Sequence, residues 1–268
     1  MAPKLSTSTP RPDRLFDSKK LWEFDIDLSV VEVDHGDVIH VACDRSLPCS
    51  QCGRLPAHSN TLIIAVDGAC RSNGRKNATP QSALGIFVGH SSPHNFHQKL
   101  PWALTNQVAE LMAGWAGLMV ASKVLMEDRE DKLDTVIIKS DSEYLVKGMT
   151  DWILKWQVNG WKTATGKDVV NRDLFEDLLS KMKILESEGV KVLFWHARRE
   201  FNGEADRLAN LALDEKREKL LRVLEYDEDG VSICLLLMVL GGVLGDSTAR
   251  LIGWRTWLLM VREGVTLY

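Results

Sequence analysis

Three observations predict an α/β fold with a mixed, five-stranded sheet covered by helices on both faces. Short apolar runs bounded by turn residues recur at residues 62–66, 83–88, 96–100, 136–138 and 190–195, and each reads as a strand. Between and after them lie longer segments with apolar residues at three-and-four spacing, the period of a helix packed on one face. The resulting order, β, β, β, α, β, α, α, β, α, gives an antiparallel flank followed by the strand-then-helix alternation of parallel pairing. At 268 residues, 45% hydrophobic and 26% charged, the chain has globular composition and room for one domain with extensions at both ends.

Residues 1–60 open with a Ser, Thr and Pro-rich stretch and then offer only short apolar runs at 30–33 and 38–42, so a poorly ordered extension is expected there. Leu62, Ile63, Ile64, Ala65 and Val66 form a near-continuous apolar run ending in Asp67 and Gly68, the pattern of a strand buried on both faces. The next two strands are separated by Gly89, Ser91, Ser92 and Pro93, which suit a hairpin. Val108, Leu111, Met112, Trp115, Leu118 and Met119 then mark one stripe of a helix over about residues 106–126, with Glu110 beside it.

Val136, Ile137 and Ile138 make a second buried strand that ends at Asp141, and a helix follows at once, capped by Ser142 or Asp141. After the Trp-rich residues 152–167, Leu174, Leu178, Met182 and Leu185 predict another helix. Residues 190–195 form the last strand, and Ala205, Leu208, Ala209, Leu211 and Ala212 the last helix. The expected division is therefore an extension at 1–60, a folded domain at 61–215 and an apolar C-terminal extension at 216–268. Residues 231–244 are apolar but hold Gly241 and Gly242 and fall short of the roughly 20 residues that span a bilayer. A packing or partner-binding segment, helped by Trp254, Trp257, Leu258 and Leu259, is expected there rather than membrane association.

The 33 Lys and Arg against 37 Asp and Glu give a net charge of −4. A nucleic-acid partner would then need a local basic patch, not a global positive field. Five cysteines, with no secretory pattern at the start, argue against a disulfide scaffold and for a reducing compartment. Lys4 and Arg11 stand among Ser and Thr, but Asp13 and Asp17 interrupt a transit-peptide pattern. The default expectation is nuclear or cytosolic, with a mitochondrial location left open. Cys49 and Cys52 form one CxxC, and Cys43, His40 and His58 lie near enough in sequence to complete a zinc site. With no second CxxC, ordinary reduced thiols in a turn-rich segment are the favoured expectation.

The acids attached to buried elements are Asp67, Glu110, Asp141 and Asp206. Singly, each reads as a helix cap or a solvated charge. Together, at strand ends and helix starts, they predict a carboxylate cluster that repels itself without cations and suits the hard ions Mg²⁺ or Mn²⁺. Two such ions about 4 Å apart would serve phosphoryl transfer.

Five motifs raise the set above coincidence. They are Val66-Asp67-Gly68-Ala69-Cys70-Arg71-Ser72-Asn73-Gly74-Arg75, Thr105-Asn106-Gln107-Val108-Ala109-Glu110, Ser140-Asp141-Ser142-Glu143-Tyr144, the stretch from Trp152 through Asn159-Gly160-Trp161-Lys162-Thr163 to Asn171 and Phe175, and Asn202-Gly203-Glu204-Ala205-Asp206-Arg207-Leu208-Ala209. In this order, over about residues 61–214, they resemble the cellular type 1 ribonuclease H family. The resemblance implies a ribonuclease H-like fold and a metal-dependent endonuclease that hydrolyses the RNA strand of RNA–DNA hybrids to 3′-hydroxyl and 5′-phosphate products. It implies that Asp67, Glu110, Asp141 and Asp206 hold two Mg²⁺ ions, with Mn²⁺ as a substitute, and that no small-molecule cofactor takes part.

By the same resemblance, Asn73, Asn106 and Gln107 touch the RNA strand, where 2′-hydroxyls tell RNA from DNA. Trp152 and Trp156 line the DNA-strand channel, while Thr105 and Asn171 grip a DNA phosphate. Core packing is the rival explanation for the two tryptophans, whose i, i+4 spacing fits a helix stripe. Lys147, Lys155, Lys162, Lys167 and Arg172 form the required basic patch, which corresponds to the family's basic protrusion. His196 lies ten residues before Asp206, the spacing of the family's mobile catalytic histidine. It could equally end a strand, with the loop Ala197-Arg198-Arg199-Glu200 replacing the family's usual one. The competing function is an inactive hybrid-binding module with the same fold; intact acids at all four motif positions favour the enzyme.

Overall fold

The computed structural model describes residues 13–20, 28–44, 50, 56–72, 80–100, 104–127 and 132–215. The strands are β1 (Glu32–Asp34), β2 (Ile39–Ala42), β3 (Ala57–Arg71), β4 (Gln81–Phe87), β5 (Phe96–Leu100), β6 (Thr135–Ser140) and β7 (Lys191–His196). The helices are α1 (Asn106–Leu125), α2 (Glu143–Lys147), α3 (Ile153–Asn159), α4 (Arg172–Ser187) and α5 (Gly203–Asp214). A π turn at Gly148–Trp152 joins α2 to α3 without a break, so much of the Trp-rich stretch is helical.

The apolar run at residues 62–66 forms the middle of β3, the organising strand. It pairs antiparallel with β2 and β4 and parallel with β6, which in turn pairs parallel with β7. The mixed sheet and its antiparallel flank are therefore as predicted. The strand count is not: the sheet has seven strands, because β1 and β2 join it from the segment expected to be a poorly ordered extension. Four buried residues in β2 and a fully buried Val31 explain the gain, since even short apolar runs add a strand when one edge of a longer strand is open to them. Residues 13–20 contribute as well. Leu15 makes a parallel bridge to Phe194, and the backbones of Arg14 and Phe16 exchange hydrogen bonds with Phe194, which covers part of the outer edge of β7.

Side chains alternate across the sheet. Leu62, Ile64, Val66, Val136, Ile138, Val192 and Phe194 share one core with α1 and α4. Ile63, Ala65, Ile137, Leu193 and Trp195 face the other, with Ala205 and Leu208 of α5 and with Phe16, Val31 and Ile39 from the N-terminal segment. Lys139 is buried on this second face, where its ammonium pairs with Glu32 of β1 and lies 5.7 Å from the Trp195 ring centroid. Helices thus cover both faces, as predicted.

The single-stripe expectation for α1 needs correction. Ala109, Leu111, Ala113, Gly114, Trp115, Gly117, Leu118, Ala121 and Val124 are buried around most of its circumference. The helix packs against both the sheet and α4, so small and large residues alike are enclosed; Gly117 faces Val66 of β3 and Gly114 faces Leu145 of α2. Residues 216–268, including the apolar run and Trp254, Trp257, Leu258 and Leu259, lie outside the described residues.

Candidate active site

Two glycines decide how the acids meet. A Cβ on Gly68 would come within 2.2 to 2.5 Å of backbone atoms of Ala109 and Glu110, and one on Gly85 within 2.4 Å of backbone atoms of Ala205 and Ala209. Neither backbone could yield to such a contact, so only glycine lets α1 and α5 descend onto the sheet. Gly68 follows Asp67 directly, and Gly85 on β4 is the register partner of Asp67. The sheet therefore receives α1, with Glu110, on one face and α5, with Asp206, on the other, both beside Asp67. Asp141 comes from the end of the neighbouring parallel strand, where Ile64 of β3 pairs with Ile138 of β6. Ligand sites in such sheets gather at these strand ends.

The four predicted acids are electrostatically coupled. The Asp67 carboxyl is pushed up to about 7, first by burial, then by the charges of Asp141 and Asp206, with a further push from Glu110 and a pull downward from Arg199. Glu110 is raised by burial and by Asp141, against the stabilising hydrogen bonds it accepts from Ser142 and Asn106. This is the signature of like charges crowded into a half-buried space.

Polar neighbours fix each acid. Asn202, only 1% exposed, donates through Nδ2 to the Val66 carbonyl at 3.0 Å and to Asp141 Oδ1 at 3.3 Å, tying β3, the end of β6 and the start of α5 together. Its Oδ1 is buried without a hydrogen-bond partner. Asp206 accepts from Arg199 Nη2 at 2.9 Å and from Asn210 Nδ2 at 3.0 Å. Ser142, the N-cap of α2, accepts from the Leu145 N–H while donating to Glu110. Sequence reasoning missed Arg199, Asn202 and Asn210 as site residues. Asn202 directly before a helix start was the one available signal, and it read only as part of a motif.

The remaining predicted residues divide. Asn106 and Gln107 are exposed at the start of α1, and Asn106 donates to Glu110. Thr105 caps α1, accepting from the Val108 N–H at 3.3 Å. Asn171 holds a left-handed φ of 61° at the start of α4 and donates to the Tyr144 hydroxyl at 3.2 Å. Asn73 lies outside the described residues. Trp156 is 9% exposed and wedged among Trp152, Trp161 and Phe175, with centroids 5.8, 5.9 and 5.0 Å away. That is a core position, whereas Trp152 stays half-buried.

His196 ends β7, the strand-end alternative drawn for it; it is exposed, and its Nε2 lies 3.3 Å from the Asp141 carbonyl oxygen. The basic patch is weaker than its sequence suggests. Lys147 pairs with Glu143, Lys155 with Asp151, Lys162 with Asp168 and Arg172 with Glu176.

Of the residues considered for zinc, His40 is buried and bonded through Nδ1 to the Thr61 carbonyl, so its ring is committed elsewhere. Cys49 and Cys52 lie outside the described residues. Cys43, Asp44 and His58 do meet.

Comparisons with known proteins point to one family. The RNase H family matches residues 59–214. Ribonuclease H1 of Mus musculus is 34% identical over 149 residues, covering 56% of this chain and 49% of the mouse protein. Ribonuclease H of Clostridium botulinum is 33% identical over 155 residues, covering 58% of this chain and 96% of the bacterial one. The chain thus spans about half the length of the mammalian relatives it matches. Among solved structures, RNase H1 of Halobacterium salinarum shares 22% identity over 58% of this chain and 99% of its own, with a TM-score of 0.39.

Proposed function

This chain belongs to the RNase H family, and from that premise we propose that it hydrolyses the RNA strand of RNA–DNA hybrids in a Mg²⁺- or Mn²⁺-dependent reaction leaving 3′-hydroxyl and 5′-phosphate ends. The observation that carries the reading is the convergence of Asp141, Asp206 and Glu110 on Asp67, which holds the Asp67 carboxyl near neutrality. An all-oxygen donor set whose negative charge Arg199 offsets only in part suits a hard divalent cation, and the residues fit one. Asp67, Glu110, Asp141 and Asp206 would hold it. When bound, such ions polarise the scissile phosphate, activate water and neutralise the leaving oxygen.

The chain's own residues do the positioning. Asn202 holds Asp141, Ser142 and Asn106 hold the two oxygens of Glu110, and Arg199 and Asn210 hold Asp206. Preset acids need no reorganisation when substrate arrives. Asn106 and Gln107, exposed next to Glu110, are assigned to the RNA strand, where an amide can read a 2′-hydroxyl. Thr105 and Asn171 stand at helix starts, where backbone N–H groups and the helix dipole favour a phosphate. We assign proton handling to His196, exposed beside Asp141, because an imidazole can both accept and donate a proton.

The test is a substrate panel: labelled RNA–DNA hybrid, duplex RNA and duplex DNA, each with Mg²⁺ and with EDTA. Cleavage confined to the RNA of the hybrid, and abolished by EDTA, is expected. Equal rates on duplex RNA, or cleavage that survives EDTA, would overturn the proposal.

A further inference from the structure

The β2–β3 hairpin carries a second cluster of ligating side chains, before the RNase H match begins at residue 59. Val41 pairs with His58 and Ala42 with Ala57, and the ladder continues with the Cys43 N–H donating to the Pro56 carbonyl at 2.7 Å. Cys43, two residues beyond Val41, is therefore the diagonal same-face neighbour of His58. Asp44 follows directly. The thiol, the carboxylate and the imidazole bring their ligand atoms within 4.8 Å of one another, and all three residues are half-buried.

The spacing has a natural reading. Two ligand atoms each about 2.1 Å from a tetrahedral ion stand about 3.4 Å apart. Asp44 Oδ1 and His58 Nε2 are 3.5 Å apart. We propose that Cys43, Asp44 and His58 form a Zn²⁺ site that closes the connection between β2 and β3. Thiolate and imidazole donors select a borderline-soft ion, whereas the hard Mg²⁺ of the carboxylate cluster has no use for sulfur. The two sites sort their metals by donor chemistry. The CxxC residues Cys49 and Cys52 fall within this same connection in the sequence and lie outside the described residues. Zinc here would tie down the strands that the N-terminal segment adds to the sheet, a structural role separate from hydrolysis.

The test uses the full chain, purified reduced and without chelator. Its zinc content is measured by mass spectrometry, and Co²⁺ is then exchanged in under excess Mg²⁺ to occupy the carboxylate cluster. Stoichiometric zinc is expected, with intense tetrahedral cobalt bands and a thiolate-to-cobalt charge-transfer band. Cys43→Ser should abolish that charge-transfer band, and His58→Gln should weaken zinc binding about tenfold or more. Cys70→Ser, a thiol outside the cluster, should change neither. Asp44→Asn, a conservative change at a partly exposed side chain, keeps the test open if Cys43→Ser fails to fold, and should also weaken zinc binding. Removing zinc by chelation should lower the melting temperature by several degrees while leaving hybrid cleavage in re-added Mg²⁺ intact at 25 °C. Protein that takes up no Zn²⁺ when reduced, or that binds it equally in the His58→Gln and Asp44→Asn variants, would overturn the proposal and leave an Asp44–His58 ion pair only.

Discussion

Asp67→Asn should stabilise this protein while abolishing its chemistry. Burial and neighbouring carboxylates raise the Asp67 carboxyl from 3.8 to about 7. Between those values the folded state keeps a proton that the unfolded chain has lost, so stability falls as pH rises through the window. Below about pH 4 both states are protonated and no penalty exists; above about pH 7 the whole penalty is in place. At about 1.4 kcal/mol per tenfold change in proton activity, the gap corresponds to an upper value of order 4 kcal/mol, since the coupled acids share the cost. The amide keeps the size of the carboxyl without its charge. A gain of about 2 to 4 kcal/mol, or roughly 5 to 10 °C in melting temperature, is expected at pH 8 in EDTA, and almost none at pH 4. Melting both proteins by circular dichroism at the two pH values checks this. A variant no more stable than wild type at pH 8, or equally stabilised at both, would refute the electrostatic reasoning.

Four other substitutions probe separate parts of the structure. Trp156→Ala should cost about 3 to 5 kcal/mol of stability by emptying a core site, whereas Trp152→Ala should spare the fold and weaken hybrid binding by about 1 to 3 kcal/mol; denaturant titration with a binding isotherm separates them, and the reverse pattern would restore the DNA-channel role of Trp156. Glu32→Ala leaves the buried Lys139 ammonium without its partner and should cost about 3 kcal/mol, read from urea unfolding; an unchanged midpoint would mean that β1 contributes nothing to the fold. His196→Ala should lower turnover by about 10² with little change in affinity. Its exposure and single 3.3 Å contact predict a melting point almost unchanged, so a normal rate with a lowered melting point would remove it from the reaction.

How much of this was legible beforehand depends on the range of each interaction. The middle of β3, β6 and β7 announced themselves because a strand buried on both faces must be apolar at every position, and Leu62 to Val66 is. Glu110, Asp141 and Asp206 were legible because each sits near a strand end or helix start that local pattern could locate; Asp67 ends the apolar run but not the strand, since β3 continues to Arg71 in its pairing with β4. β1 and β2 were not. Their runs are short, and only the presence of a long, partly open β3 turns Ile39 and Val41 into a strand. Arg199 and Asn202 were hidden for a similar reason: nothing in Ala197-Arg198-Arg199-Glu200 shows that a short 3-10 turn will aim a guanidinium at Asp206. The Cys43, Asp44 and His58 cluster depends on hairpin register, which no spacing along the chain reveals. His40, closer in sequence to Cys43 than His58 is, turned out to serve a backbone carbonyl.

The activity of the carboxylate cluster is open to a single comparison. Wild type and Asp141→Asn are incubated with the same labelled RNA–DNA hybrid in Mg²⁺, after both are shown to be folded. Asp141 shares its end of the sheet with Asp67 and is held by Asn202, so its loss should cut the cleavage rate by at least about 10³, the scale on which removing a preorganised charge-stabilising group acts. The same variant should still bind the hybrid. Near-wild-type cleavage by Asp141→Asn would mean that the chemistry of this chain lies elsewhere than in its four converging acids.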